Sequence, residues 1–189
     1  MMKRPSEPTP ITRADCAALV SLKDARLSGV TYHYLPPSDG MYYAGGETGV
    51  DHMLAAVDLH LGDSGMVAIT WAMAGELEGL AILNGESYSG IGTEVLDAAD
   101  REAWREHIGK RITSVAASWQ ISGENCPESL WAMRLSFAVG SIVIALGTAY
   151  PRLAYQPDEL VVVFDMPLAR SYRPRHVSDS SWGAPIEPT

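Results

Sequence analysis

The segment AAVDLHLGDSGMVAITWAM, residues 55–73, decides the fold. In its first half apolar residues alternate with Asp58 and His60, which is the two-residue period of a β-strand with one buried face. The apolar positions there are Val57, Leu59 and Leu61. The glycine-rich residues 62–65 predict a turn, after which the alternation resumes. The resumed apolar positions are Val67, Ile69, Trp71 and Met73. The segment therefore predicts a β-hairpin with one buried face and one solvated face.

Other parts of the chain extend this sheet. Residues 130–149 (LWAMRLSFAVGSIVIALGTA) repeat the hairpin pattern, with a turn around Gly140. The near-continuous apolar run ELVVVFD at 159–165 is typical of an interior strand covered on both faces. A short strand is predicted over 29–35 from its β-branched and aromatic content, and further short strands are predicted over 79–83 and 111–119.

Helices are predicted in two places. Thr12 precedes Asp15 by three residues, as in a loose capping box, and predicts a helix from about Arg13 to about Leu27. A shorter helix is expected from about Asp97 or Asp100 to Gly109, so that Asp97 serves as a helix N-terminal acid. The fold class that follows is α+β: a single domain with one curved, mostly antiparallel sheet built from hairpins, and one or two packed helices.

Composition bounds the domain organisation. The 189 residues and 47% hydrophobic content suit one domain with a sizeable core. We expect that domain over residues 11–165, between a loosely ordered N-terminal tail at 1–10 and a C-terminal tail at 166–189 that contains proline and arginine.

Charge and cysteine content exclude several classes of function. The formal net charge is −9, which disfavours nucleic acid and anionic membranes as partners. The two cysteines, Cys16 and Cys126, form no zinc-ribbon pattern and no disulfide framework. No leader-like apolar segment and no membrane-spanning segment is evident, so a cytoplasmic location is expected.

One glycine-rich segment approaches a catalytic motif without matching it. The segment is NGESYSGIGTE, residues 84–94. Its part GESYS departs from the G-x-S-x-G pattern of a nucleophile elbow. The residues GIGTEV at 90–95, which overlap its end, lack the third glycine of a dinucleotide-binding loop. Nearby carboxylates would also repel a phosphate. The segment is therefore predicted to connect a strand to a helix, and neither a catalytic residue nor a cofactor is predicted.

The histidines give a second candidate chemistry. Asp58 and His60 share one face of the predicted strand and could ligate a metal or form an acid/base pair. A metal would need further ligands. The further ligands available in the sequence are His33, Asp51 and His52. In a strand, however, the adjacent Asp51 and His52 would point to opposite faces. His107 is expected on a helix surface. We predict that Asp58 and His60 form the solvated side of the hairpin and that no metal binds. A triad of residues distant in sequence stays open.

The acidic residues favour a protein partner. A rim of acidic side chains with one aromatic suits electrostatic capture of a basic protein. The predicted partner-binding residues are Glu76, Glu78, Glu86, Tyr88 and Glu94.

The leading hypothesis is a non-enzymatic cytoplasmic binding protein. As a small, acidic, tryptophan-containing α+β domain without a catalytic motif, the chain resembles in general character the immunity proteins that neutralise bacterial toxins. That resemblance implies a bacterial source and a protein partner. One alternative is a small-molecule-binding domain or enzyme with a pocket near Asp58, His60 and Ser87. Another is a structural subunit that docks through residues 166–189.

Overall fold

The computed structural model describes residues 7–35, 49–90, 92–149, 152–174 and 184–185. The strands are β1 (Gly29–Tyr34), β2 (Val50–His60), β3 (Met66–Ala74), β4 (Leu77–Asn84), β5 (Glu94–Asp97), β6 (Ser114–Gln120), β7 (Ser129–Phe137), β8 (Gly140–Leu146), β9 (Leu160–Val163) and β10 (Ala184–Pro185). The helices are α1 (Ala17–Val20), α2 (Glu102–Arg105) and α3 (Met166–Ser171), and a 3-10 turn occupies Gly62–Ser64. No helix in the described ranges is long and apolar enough to cross a bilayer.

The strands form one antiparallel sheet that curls into a half-barrel. Its order is β10-β6-β7-β8-β9-β2-β1-β5, and the hairpin of β3 and β4 joins at β2. The long strand β2 pairs with β1 along one side, while its other side pairs first with β9 and then with β3. An irregularity between Asp51 and Leu54, where Met53 takes a φ of +60°, lies within the pairing of β2 with β9. The predicted α+β class with a curved antiparallel sheet is confirmed.

The N-terminal segment connects the two hairpins. The Ile11 N–H donates to the Leu80 carbonyl at 2.9 Å, and the Leu130 N–H donates to the Ile11 carbonyl at 2.8 Å. Strands β4 and β7 approach closely beside it, since a Cβ at Gly79 would lie only 2.9 Å from the Leu130 oxygen. Glycine at this position therefore allows the two hairpins to pack together.

The burial of the strands differs from the prediction at one hairpin. The run at 159–165 is confirmed as an interior strand, because all four residues of β9 are buried and β9 lies between β8 and β2. The prediction of one solvated face is wrong for β2, where only Met53 and His60 are more than slightly exposed. Strand β2 is central in the sheet, and the chain between β4 and β5 contacts its outer side chains, as described below.

The first helix is much shorter than predicted. A helix over 13–27 is wrong: α1 has four residues, and Asp24 adopts a φ of +67° that ends helical geometry. The backbone there pairs with a distant segment, because the Asp24 N–H donates to the Ile112 carbonyl at 2.8 Å. Thr12 forms a bridge with Ser129 and does not cap a helix. Tertiary backbone pairing has overridden the local helical pattern.

The other helices are also short. The prediction that the second helix begins near Asp97 is wrong, because Asp97 ends β5. Helix α2 begins at Glu102, two residues after the alternative start at Asp100, and it ends at Arg105, before the predicted end at Gly109. Helix α3 lies in the segment 166–189, where no periodicity indicated it. The Asp165 carboxylate caps α3 by accepting from the Leu168 N–H at 3.0 Å, and Tyr172 is buried just after it.

Candidate functional site

The pairing of β1 with β2 places several polar side chains on one face of the sheet. Thr31 lies directly opposite Asp58. On the same face, His33 lies two residues further along β1 and His60 lies two residues further along β2, on either side of that pair. Of these, Asp58 is 1% exposed and His33 is 3% exposed. A buried carboxylate requires hydrogen-bond donors, so the surroundings of Asp58 are the natural place to look for a site.

Asp58 receives its donors from two parts of the chain. The Ser87 hydroxyl donates to Asp58 Oδ2 at 2.5 Å, and His33 Nε2 lies 2.9 Å from the same oxygen. The Tyr88 N–H approaches Asp58 Oδ1 at 3.4 Å. Since Ser87 and Tyr88 belong to the connection between β4 and β5, Asp58 anchors this connection, here called the crossover loop (residues 85–93), on the sheet. The prediction that Asp58 is solvated is wrong, because the contact comes from a segment distant in sequence.

The cluster differs from a catalytic triad. In a triad the imidazole lies between the hydroxyl and the carboxylate and accepts the hydroxyl proton. Here Asp58 lies in the middle, and both Ser87 and His33 are directed at its Oδ2. His60, the third residue of the predicted pocket, shares a hydrogen bond of 2.9 Å with Thr31. The structure thus joins Asp58 to Ser87 and adds His33, and its geometry serves to position the crossover loop.

Gly90 of the crossover loop has a packing role. The Tyr88 ring contacts His33 edge-on, with ring centroids 5.3 Å apart. The same ring occupies the position that a Cβ on Gly90 would take. Gly90 is therefore required for the approach of an aromatic ring, which accounts for a glycine that in the sequence alone resembled part of a phosphate-binding loop.

A second buried carboxylate fixes the far end of β5. The Tyr32 hydroxyl donates to Asp51 Oδ2 at 2.9 Å and accepts from Trp104 Nε1, while Arg101 donates to Asp51 Oδ1 at 2.6 Å. Burial raises the pKa of Asp51, and the charge of Arg101 opposes that rise. Because Arg101 and Trp104 follow β5 in the chain, this network fixes the start of α2 against β2.

Two further histidines in the described part of the chain, His107 and His52, are buried. His107 is 7% exposed and packs on Phe137, so its predicted position on a helix surface is wrong. Burial lowers the pKa of His107 and also that of His52, which is 8% exposed. Within the described ranges no three or more His, Cys, Asp or Glu side chains are grouped to hold a metal ion.

The predicted partner-binding residues lie at two ends of β4. Glu76 is in the β3–β4 turn and Glu78 is the second residue of β4, whereas Glu86 and Tyr88 follow its other end. The eight residues of β4 span roughly 26 Å, so Glu76 before the strand and Glu86 after it are at least about that far apart along the chain direction. Glu94 begins β5, the strand that follows the chain segment containing Glu86 and Tyr88. The five residues therefore do not form one continuous cluster.

Glu78 lines a cleft of about 810 Å³. It accepts a hydrogen bond of 2.6 Å from the Tyr155 hydroxyl, which in turn accepts from Gln120 at 2.7 Å. Burial and the bond to Glu78 raise the pKa of Tyr155. Arg152 and Tyr172 also line this cleft. Its lining includes none of Asp58, His60 and Ser87.

Strand β5 is the most exposed strand whose side chains the structure describes. All four residues are exposed, with Val95 at 65% and Leu96 at 41%. Glu94 and Asp97 flank this apolar pair, and β5 lies at the end of the strand order. We name Glu86, Glu94, Val95, Leu96 and Asp97 the acidic edge. Sequence analysis found Glu86 and Glu94 but missed the other three, whose only signal was an apolar pair between two acids.

Comparison with known proteins found no match among protein-family models, curated proteins or solved structures.

Proposed function

We propose that this protein is a non-enzymatic binding protein whose acidic edge engages a basic protein partner, immunity-protein-like in general character. The observation that carries the proposal is the exposed apolar pair Val95 and Leu96 between the exposed acids Glu94 and Asp97. Exposed apolar side chains beside charged ones are typical of protein interfaces, and at the edge of a sheet a partner can contact both faces. Tyr88 lies beside this surface in the crossover loop.

The charge around the acidic edge supports a basic partner. Residues 86–106 contain six acidic residues and only two basic ones, Arg101 and Arg105. Arg101 is paired with the buried Asp51, and Arg105 donates to the carbonyl of Asp100 at 2.6 Å. A surface of one predominant sign accelerates association with an oppositely charged partner and selects against like-charged ones.

The acidic edge is also held in place before binding. Asp58 anchors the crossover loop on one side of β5, and the Asp51 network fixes the start of α2 on the other. Strand β5 itself pairs with β1 along its length. A surface that is ordered in the free protein loses less conformational entropy on binding, which favours affinity.

The experiment compares partner capture by three proteins from native lysate at low salt: wild type, Glu94→Lys/Asp97→Lys, and the control Glu76→Lys. Glu76 is an exposed acid at the far end of β4. We expect wild type and Glu76→Lys to retain a basic protein that the double variant loses and that rising salt releases. Equal recovery by wild type and a folded double variant would overturn the proposal.

A second candidate function, small-molecule binding, is favoured by the cleft that contains Glu78, Tyr155 and Arg152. Its size is within the range of ligand pockets, and three of its polar groups, Glu78, Tyr155 and Gln120, are joined by hydrogen bonds. Compounds that raise the melting temperature of wild type but not of Tyr155→Phe would support this function. A screen in which no compound discriminates the two proteins would count against it.

A further inference from the structure

We propose that β5 binds its partner by strand addition, in which an extended segment with the pattern basic–apolar–apolar–basic pairs with the outer edge of β5 and enlarges the sheet. The inference rests on the proposed function, because it specifies how the acidic edge holds the basic partner. Three features of β5 carry it: the direction of its backbone groups, the order of its charges and the exposure of its apolar pair.

The backbone of β5 presents hydrogen-bonding groups outward. The Ala98 N–H donates to the Val30 carbonyl at 2.9 Å, which fixes the phase of the antiparallel ladder between β5 and β1. Since bonded and non-bonded pairs alternate along such a ladder, Leu96 and Glu94 direct their N–H and C=O groups toward β1. The groups of Val95 and Asp97 then face away from β1, and no strand in the described part of the chain pairs there.

The charges on β5 select the occupant. In an antiparallel pair with a second copy, the outward-facing Val95 and Asp97 must lie opposite outward-facing residues of the other copy, for example Asp97 opposite Val95, twice. Such a pair brings together the two carboxylates of each strand with no basic residue between them, and like charges on neighbouring strands destabilise their pairing. Acidic residues on an edge strand thus oppose self-association, and they attract a strand with basic residues at the matching positions. The occupant is therefore a basic partner and not a second copy.

The apolar pair gives the added strand two faces to contact. In the register with β1, Val95 lies opposite His33 and Leu96 lies opposite Tyr32. Val95 and Leu96 consequently project from opposite faces of the sheet. The two central apolar residues of the partner can each contact one of them, so that strand addition combines backbone hydrogen bonds with apolar burial on both faces.

The test uses synthetic peptides as probes. The first contains the core Lys-Val-Ile-Lys within a neutral extended sequence, the second carries N-methyl groups on the two amides that would face β5, and the third has Glu in place of each Lys. We expect the first peptide to bind, and the other two to bind at least about tenfold more weakly, since they lose backbone donors or charge complementarity. On binding, the amides of Val95 and Asp97 should gain protection from hydrogen exchange.

A matched pair of variants tests the backbone contact from the side of the protein. Val95→Pro removes an N–H that faces outward and leaves the bonds to β1 intact, and proline is tolerated at such edge positions. Val95→Thr keeps both the N–H and the side-chain shape. We expect Val95→Pro to weaken peptide binding by about tenfold or more, and Val95→Thr to change it by less than about threefold.

The outcomes separate this inference from the proposed function. If Val95→Pro and the N-methylated peptide bind like their parents while Glu94→Lys/Asp97→Lys abolishes binding, strand addition is wrong and the acidic edge contacts side chains alone. If the double charge reversal has no effect on the peptide or on partner capture, the proposed function itself fails. Absence of binding by wild type to every peptide of this pattern at millimolar concentration would also overturn the inference.

Discussion

Replacement of Asp58 by alanine tests how the crossover loop is held. Asp58 is 1% exposed and accepts from the Ser87 hydroxyl, from His33 Nε2 and, at longer range, from the Tyr88 N–H. Asp58→Ala leaves His33, which is 3% exposed, without its carboxylate partner. A buried donor left without its acceptor costs about 1–3 kcal/mol, and loss of the hydrogen bond from Ser87 costs about 1–2 kcal/mol more. We therefore expect the free energy of unfolding to fall by about 2–5 kcal/mol.

Further variants measure how much each contact of Asp58 contributes to the free energy of unfolding. Ser87→Ala removes a single hydrogen bond from an exposed loop residue to a charged acceptor, so its expected cost is about 1–2 kcal/mol. The double variant measures the coupling, which we expect to be about 1 kcal/mol because the two groups are in direct contact. Asp58→Asn keeps the shape but removes the charge, and it should fall between Ser87→Ala and Asp58→Ala.

The assay is equilibrium urea unfolding, monitored by tryptophan fluorescence. The slope of the unfolding free energy against urea concentration should be the same in all variants, which establishes that the same transition is measured in each. An Asp58→Ala protein destabilised by less than about 1 kcal/mol would refute the reasoning. It would mean that the carboxylate is solvated, as the alternation in the sequence had predicted, and that the loop is held by other contacts.

Three other changes test neighbouring features. Gly90→Ala puts a methyl group where the Tyr88 ring lies and should cost about 1–3 kcal/mol in urea unfolding, whereas wild-type stability would show that the ring packs elsewhere. Burial lowers the pKa of His107 from its ordinary 6.5, so an unfolded chain takes up the proton first, and stability falls as pH decreases below about 6.5. His107→Phe should reduce this loss between pH 7 and pH 5, and an unchanged pH profile would contradict the assignment. Tyr32→Phe removes a buried hydroxyl that donates to Asp51 and should lower stability by about 1–3 kcal/mol, while a neutral effect on thermal unfolding would count against the network.

The strands were predictable from local pattern. The alternation at 55–73, the repeat of it at 130–149 and the apolar run at 159–165 all correspond to strands, because burial against a sheet imposes its own period on the sequence. The local pattern over 13–27 predicted a helix that does not form there, because backbone groups in this segment pair with residues near Ile112, far away in the sequence.

The candidate site depended on contacts that sequence alone does not give. Alternation identified the face that carries Asp58, but its burial comes from Ser87, 29 positions away. Strand β5 has four residues, too few for a periodic signal, and Asp97 within it looked like a helix N-terminal acid. Binding of a basic protein partner stays a prediction, and the structure defines the edge of the sheet at which it should be tested.

The most direct test of the acidic edge is the association rate constant with a captured basic partner, measured by stopped flow across a series of salt concentrations for wild type and Glu94→Lys/Asp97→Lys. Our account predicts a wild-type rate that falls steeply with ionic strength, and a double variant that associates more slowly at low salt with a weaker salt dependence. Equal rates with equal salt dependence in the two proteins would contradict it.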